Sequence, residues 1–150
     1  MNKIELLIKE LSSSEKHEVD WLGGADQEQI TILEETLCAK LPEDFKIFLN
    51  KVGGGGVVDQ ELSGIENNDA LIDYGGNIYY DTIYCRSEFS LPEKLVVIYF
   101  YDDDICWCID TSESNFGKVV NYNLFDRKVD GILSSNFTEF FEEYVKLRTQ

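Results

Sequence analysis

The side chains able to do chemistry are few, and their spacing does not assemble a reaction centre. Asp102, Asp103 and Asp104 stand in a row, and neighbouring carboxylates can hold a divalent cation or act as a general acid and base. Consecutive side chains diverge in a tight turn, however, and neither an EF-hand spacing with its glycine and distal glutamate nor a helical Glu-x-x-His occurs. A solvated acidic loop is the better reading, and such a tip remains a contact for a basic partner. Cys38, Cys85, Cys106 and Cys108 match neither paired Cys-x-x-Cys knuckles nor a small secreted disulfide framework, so they read as reduced thiols. Zinc takes four N or S ligands, and the single histidine, His17, lies far off in a charged segment. No metal and no other cofactor is expected. On a strand, Cys106 and Cys108 would share a face on either side of Trp107, which suits a core lining. The run Gly53–Gly56 follows a helical pattern instead of opening one and lacks a Gly-Lys-Ser or Gly-Lys-Thr, so it stops a helix and does not cradle phosphate. No serine sits in a Gly-x-Ser-x-Gly elbow, and His17 would have to serve any triad. The expectation is a protein that is not an enzyme.

Bulk properties point the same way. A chain of 150 residues with 43% hydrophobic and 13% aromatic residues can bury one core and has no room for two. The 29 acidic against 13 basic residues give a formal net charge of -16. Nucleic acid and anionic lipid are thereby disfavoured, because binding them requires clustered Lys and Arg to displace counterions. A cationic protein partner fits, since an acidic surface steers such a partner in; solubility alone is the other use of the charge. No stretch reaches the roughly 18 to 20 apolar residues of a membrane span, and Lys3 and Glu5 interrupt what would be a signal peptide's apolar region, so a cytoplasmic location is expected.

The elements that position these residues follow from periodicity. Ile4, Leu7, Ile8 and Leu11 recur at helical spacing, and Ser12–Ser14 ends that helix. After a Gly23-Gly24 turn, Asp26 caps a second helix with Gln29 completing a capping box and Ile30, Leu33 and Leu37 facing inward. Pro42 opens a third in its first turn, with Phe45, Phe48, Leu49 and Val52 as the apolar face. Residues 57–74 read as a hairpin or an irregular edge with acidic side chains outward. Tyr79 to Phe89 fits a strand or a helix equally. Leu95–Tyr101 and Ile105–Asp110 form a hairpin around the acidic tip, and Gly117–Tyr122 adds a third strand. Asn136 with Glu139 caps a last helix carrying Phe137, Phe140, Phe141, Tyr144, Val145 and Leu147. Trp21, Trp107 and the Tyr79-Tyr80 pair are core residues or interface anchors, the former being commoner. The fold class is α+β, a largely antiparallel curved sheet flanked by helices in one domain.

Ile32-Leu33-Glu34-Glu35-Thr36-Leu37, Leu41 to Leu49 with its Leu-Pro and Glu-Asp-Phe-Lys steps, and Gly53-Gly54-Gly55 together resemble the signature of the SUKH superfamily, the Smi/Knr-type group. Leu91-Pro92, Leu95 to Ile98, Cys108-Ile109-Asp110-Thr111, Val119-Val120 and Phe137-Thr138-Glu139-Phe140-Phe141 continue it in order, and the whole is similar in particular to YobK-type bacterial immunity proteins. That resemblance implies the SUKH fold and a toxin-neutralising binder, or antitoxin of a toxin-antitoxin pair, with no catalytic residues. Its expected partner is a cognate polymorphic toxin, basic and of the nuclease kind. The alternative is a regulatory protein-binding scaffold like the cell-wall assembly regulators, and a small hydrolase or metal enzyme working through the acidic loops is the third reading. Candidate partner-binding residues are Glu61, Glu66, Asp69, Asp73, Asp102, Asp103 and Asp104, chosen as acidic loop positions.

Overall fold

The computed structural model describes all 150 residues. In chain order it contains α1 (Lys3–Ser13), β1 (Val19–Trp21), α2 (Gln27–Leu37), α3 (Glu43–Val52), β2 (Gly55–Val57), α4 (Ile78–Phe89), β3 (Leu95–Tyr101), β4 (Ile105–Asp110), β5 (Val119–Asn123), β6 (Lys128–Ser134) and α5 (Phe137–Thr149). Strands β3-β4-β5-β6 form an antiparallel meander, and β1 pairs antiparallel with β2 as a separate small sheet. The result is an α+β fold.

The meander separates two cores because side chains alternate across it. Val96, Ile98, Ile109 and Val119 face the larger core, built with α1, α2, α3 and α5; Val97, Cys106, Cys108, Val120 and Tyr122 face a smaller one closed by Cys85 of α4. The terminal helix anchors the larger core through Phe137 and Phe141, which pack on Phe48 with ring centroids 5.1 and 5.0 Å away. Each such aromatic, fully buried, contributes about 1.5–3 kcal/mol. A register shift between Val97 and Tyr99 leaves Ile98 as an extra residue. That bulge keeps Tyr99 on the α5 side, where it packs on Trp107 at 4.8 Å.

Local chemistry departs from the sequence reading at several points. Asp26 does cap α2, accepting from the N–H of Gln29 (3.0 Å), but the Gln29 side chain accepts from Ala70 N–H (2.9 Å) and leaves the Asp26 N–H to Asn68 Oδ1, so no capping box closes. Long-range pairing with the 66–70 segment outcompetes the local box. Pro42 is the cap itself, with ψ of 153°, and α3 begins one residue later. Gly53 stops α3 with φ of +78°, and the next glycines go on into β2, a strand no alternation announced. Of the two alternatives for residues 57–74 the irregular edge forms: Leu62 exchanges two backbone hydrogen bonds with Gly55 (2.9 and 3.0 Å) as an isolated bridge, Gly64 bridges Asn77, and turns with one 3-10 turn at Glu66–Asn68 fill the rest. Tyr79 to Phe89 is helix, chosen because Ile78, Thr82 and Cys85 find buried places. Strands β1 and β6 were not expected; the first is three residues long and the second mostly exposed, so neither shows the usual pattern.

Candidate functional site

The acidic tip of the β3–β4 hairpin is built on a strained turn. Asp104 N–H donates to the Tyr101 carbonyl (2.9 Å), and both Asp102 and Asp103 adopt φ of +53°. Left-handed backbone at two successive positions suits a right-twisted hairpin but favours Asn and Gly over Asp. All three carboxylates are exposed. The Tyr84 hydroxyl donates to Asp103 Oδ1 (3.3 Å), and desolvation with the nearby Asp103 charge pushes the Tyr84 phenol above its ordinary range.

A depression lies on each flank of this tip. The first, of about 530 Å³, is lined by Asp59, Glu61, Glu66, Tyr99, Phe100 and Tyr101 among others, with no Lys or Arg. Glu66 is held there by a hydrogen bond from the Tyr74 hydroxyl, which pushes the Tyr74 phenol up. The second, of about 570 Å³, is lined by Asp103, Asp104, Asn121, Asn123, Phe125 and Arg127 among others. Two side-chain amides, from Asn121 (2.6 Å) and Asn123 (2.9 Å), hold the Asp130 carboxyl below the usual range. Of the acidic candidates, Glu61 and Glu66 thus share one depression, Asp103 and Asp104 the other, and Asp102 lines neither. Asp69 and Asp73 are exposed on the 69–76 segment and line neither; Asp69 instead accepts from Leu71 N–H (3.1 Å). Sequence reasoning missed Asp59 and the aromatic floor of Tyr99 and Tyr101. The consecutive Tyr99, Phe100 and Tyr101 are the signal the sequence carries, but the bulge that sets which of them shares a face with Trp107 is invisible to periodicity.

Few of the carboxylates have a cationic partner within the chain. Among 29 acidic residues only Glu142 and Glu43 form ion pairs, with Lys3 (2.7 Å) and Lys46 (3.6 Å), and neither is a candidate.

Groups with chemical potential lie inside. Cys106 Sγ is 3.6 Å from Cys108 Sγ and 4.0 Å from Cys85 Sγ, all three buried. Hydrogen bonding among the thiols, then burial, pushes Cys85 and Cys106 well above the usual thiol range, which keeps them protonated. Buried Ser63 donates to Asp81 Oδ2 (2.6 Å), and desolvation pushes the Asp81 carboxyl up to about 6. No imidazole accompanies this pair, since His17 is on the exposed stretch after α1. No group of three or more His, Cys, Asp or Glu is placed to hold a metal ion. No helix is long and apolar enough to cross a membrane.

Residues 4–146 match the SUKH_5 family, described as SMI1-KNR4 cell-wall. The chain belongs to this family. In this SUKH domain the residues that carried the resemblance build the frame. Glu34 Oε2, buried, accepts the N–H of Leu41 (2.7 Å) and so fixes the Leu-Pro step after α2. Asp44 Oδ2 accepts both the N–H and the hydroxyl of Thr138 (2.9 Å each), joining the first turn of α3 to that of α5. A Cβ on Gly53 would lie 1.8 Å from the Gly23 carbonyl oxygen. These contacts shape the SUKH domain, and none of the acidic candidate residues takes part in them.

Proposed function

We propose that this SUKH domain is an immunity protein that neutralises a cognate bacterial toxin domain by direct binding, the toxin being basic and of the nuclease kind. The observation that carries the reading is the acidic hairpin tip beside an acid-walled, aromatic-floored depression with no Lys or Arg in its lining. Unpaired carboxylates around an apolar floor suit a cationic protein surface: rim charges speed encounter and buried apolar contacts slow dissociation. A specific complex of this kind buries roughly 1,200–2,000 Å² in total, more than either depression offers, so the interface extends beyond them. The domain acts as a binder, without catalysis, without nucleic acid of its own, and in the cytoplasm where the toxin would otherwise act.

The test is co-expression with candidate toxin domains, beginning with any encoded by a neighbouring gene, scored for growth rescue and for co-purification. Rescue with a stable complex is expected. Rescue from none of the basic toxin domains would remove the immunity reading.

A further inference from the structure

Building on the reading of the chain as a binder of a basic toxin, we propose that the groove between α5 and the edge strand β6 is an apolar anchor site. It takes one bulky apolar side chain, Leu, Phe or Trp, from a basic segment of the partner protein. The groove has a volume of about 250 Å³ and is lined by Trp107, Leu133, Phe140, Tyr144 and Leu147 with Glu139 and Glu143 at its rim. Leu133 and Leu147 are 44% and 66% exposed although they sit beside buried Phe140 and Tyr144.

Strand β6 is built to offer this groove. The other outer strand, β3, is closed: Val97 N–H donates to Thr82 Oγ1 (3.0 Å), and the carbonyl of the bulged Ile98 accepts from Ser63 N–H (2.8 Å). On β6 the register slips twice, leaving Leu133 and Asp130 with no opposite residue in the pairing with β5. Such bulges resist addition of a further strand and re-aim side chains. Here the slip brings Leu133 to the α5 side beside Trp107, while Ile132, opposite Val120, continues the other face. The surface therefore meets a partner by side-chain insertion and not by strand addition.

Charge selects the occupant. Glu139 and Glu143 lie one turn apart on α5, and both are exposed. The one cation in the wall, Arg148, keeps its charge but is held by neutral groups, its Nε donating to Gln60 Oε1 (2.7 Å), its Nη1 to the Tyr144 carbonyl (2.9 Å) and its guanidinium 3.7 Å from the Tyr144 ring centroid, so the two glutamates leave the lining net negative. A second copy of the chain would bring another net charge of -16 against these carboxylates. An apolar side chain flanked by Lys or Arg satisfies both the lining and the rim.

The experiment is an NMR titration of the full chain with acetyl-Lys-Arg-Phe-Lys-Arg-amide, its Phe→Ala counterpart, and a counterpart with Glu at every basic position. The indole N–H of Trp107 reports the groove, and that of Trp21, which donates to Ser12 Oγ, is the internal control. The Phe peptide is expected to move Trp107 and Leu133 signals and leave Trp21 in place, with the other two peptides about tenfold weaker or more. L133D and, separately, L147E should lose the response while keeping the native amide spectrum, and E139Q/E143Q should flatten its salt dependence. Unmoved Trp107, an equal response to the Ala peptide, or undiminished binding by both L133D and L147E would overturn the proposal. So would self-association that L133D abolishes, which would give the groove to a second copy. Peptide failure with growth rescue intact would sink the anchor alone; the opposite pattern would sink the immunity reading alone.

Discussion

A Cβ atom on Gly56 would lie 2.4 Å from the hydroxyl oxygen of Tyr144. That hydroxyl accepts from Val57 N–H (3.0 Å) and donates to the Gln60 carbonyl (2.8 Å), so the terminal helix holds the loop that carries Asp59 and Glu61. Tyr144→Phe leaves two backbone groups short of a partner and should cost about 1–3 kcal/mol. Gly56→Ala adds a clash at φ of +138° and should cost at least as much. Urea unfolding of both variants checks this; a change below about 0.5 kcal/mol in Tyr144→Phe would contradict the clamp.

Acid should stabilise the region around Asp81. Its folded-state carboxyl is pushed up by burial to about 6 from an ordinary 3.8. Between those values the native state keeps a proton that the unfolded chain has released, so this group's contribution is fully present below about pH 4 and is lost as pH rises through about 6. Its size is about 2–3 kcal/mol. Asp81→Asn can still accept from the Ser63 hydroxyl but does not titrate. Its stability relative to the parent should therefore rise by that amount from pH 4 to pH 7 in a urea series, and parallel curves would count against the buried carboxyl.

Much of this frame was legible in the sequence, and what was not has identifiable causes. The β3–β4 hairpin and the stripes of α1, α3 and α5 fall where alternation and helical spacing put them, because each buries one regular face; Leu147 is the exception on α5 and stays exposed. Strand β6 escaped notice because both of its faces are largely exposed and two bulges break its period. Gln29 fitted a local capping box, yet its partner is Ala70, far along the chain. The acidic candidates were chosen as loop carboxylates; Glu61 and Glu66 come together with Tyr99 only through the Ile98 bulge and the Tyr144 clamp. Asp69 and Asp73 lie on the same irregular stretch without lining that depression.

The four thiols should separate by reactivity. Cys38 is exposed, while Cys85, Cys106 and Cys108 are buried. A disulfide-exchange reagent such as dithionitrobenzoate should modify one thiol quickly in the native protein and all four after denaturation. Fast modification of two or more in the native state would show that the small core opens readily.

The acidic tip trades stability for charge. Replacing Asp103 by Gly relieves one left-handed residue and should stabilise the hairpin by about 0.5–1 kcal/mol. Reversing Asp102, Asp103 and Asp104 to Lys should instead slow association with the cognate toxin by about tenfold at low salt and flatten the salt dependence of the rate. Stopped-flow mixing across a salt series measures this, and an unchanged rate would take the tip out of the interface.

The most direct test of the proposed function is to titrate this SUKH domain into a purified toxin domain picked out by growth rescue and follow the toxin's own activity. Stoichiometric binding predicts a linear fall to zero at about one equivalent, with the toxin recovered active after the complex is separated under denaturing conditions and the toxin refolded. Full inactivation by a small fraction of an equivalent, or no inactivation at any ratio, would contradict it.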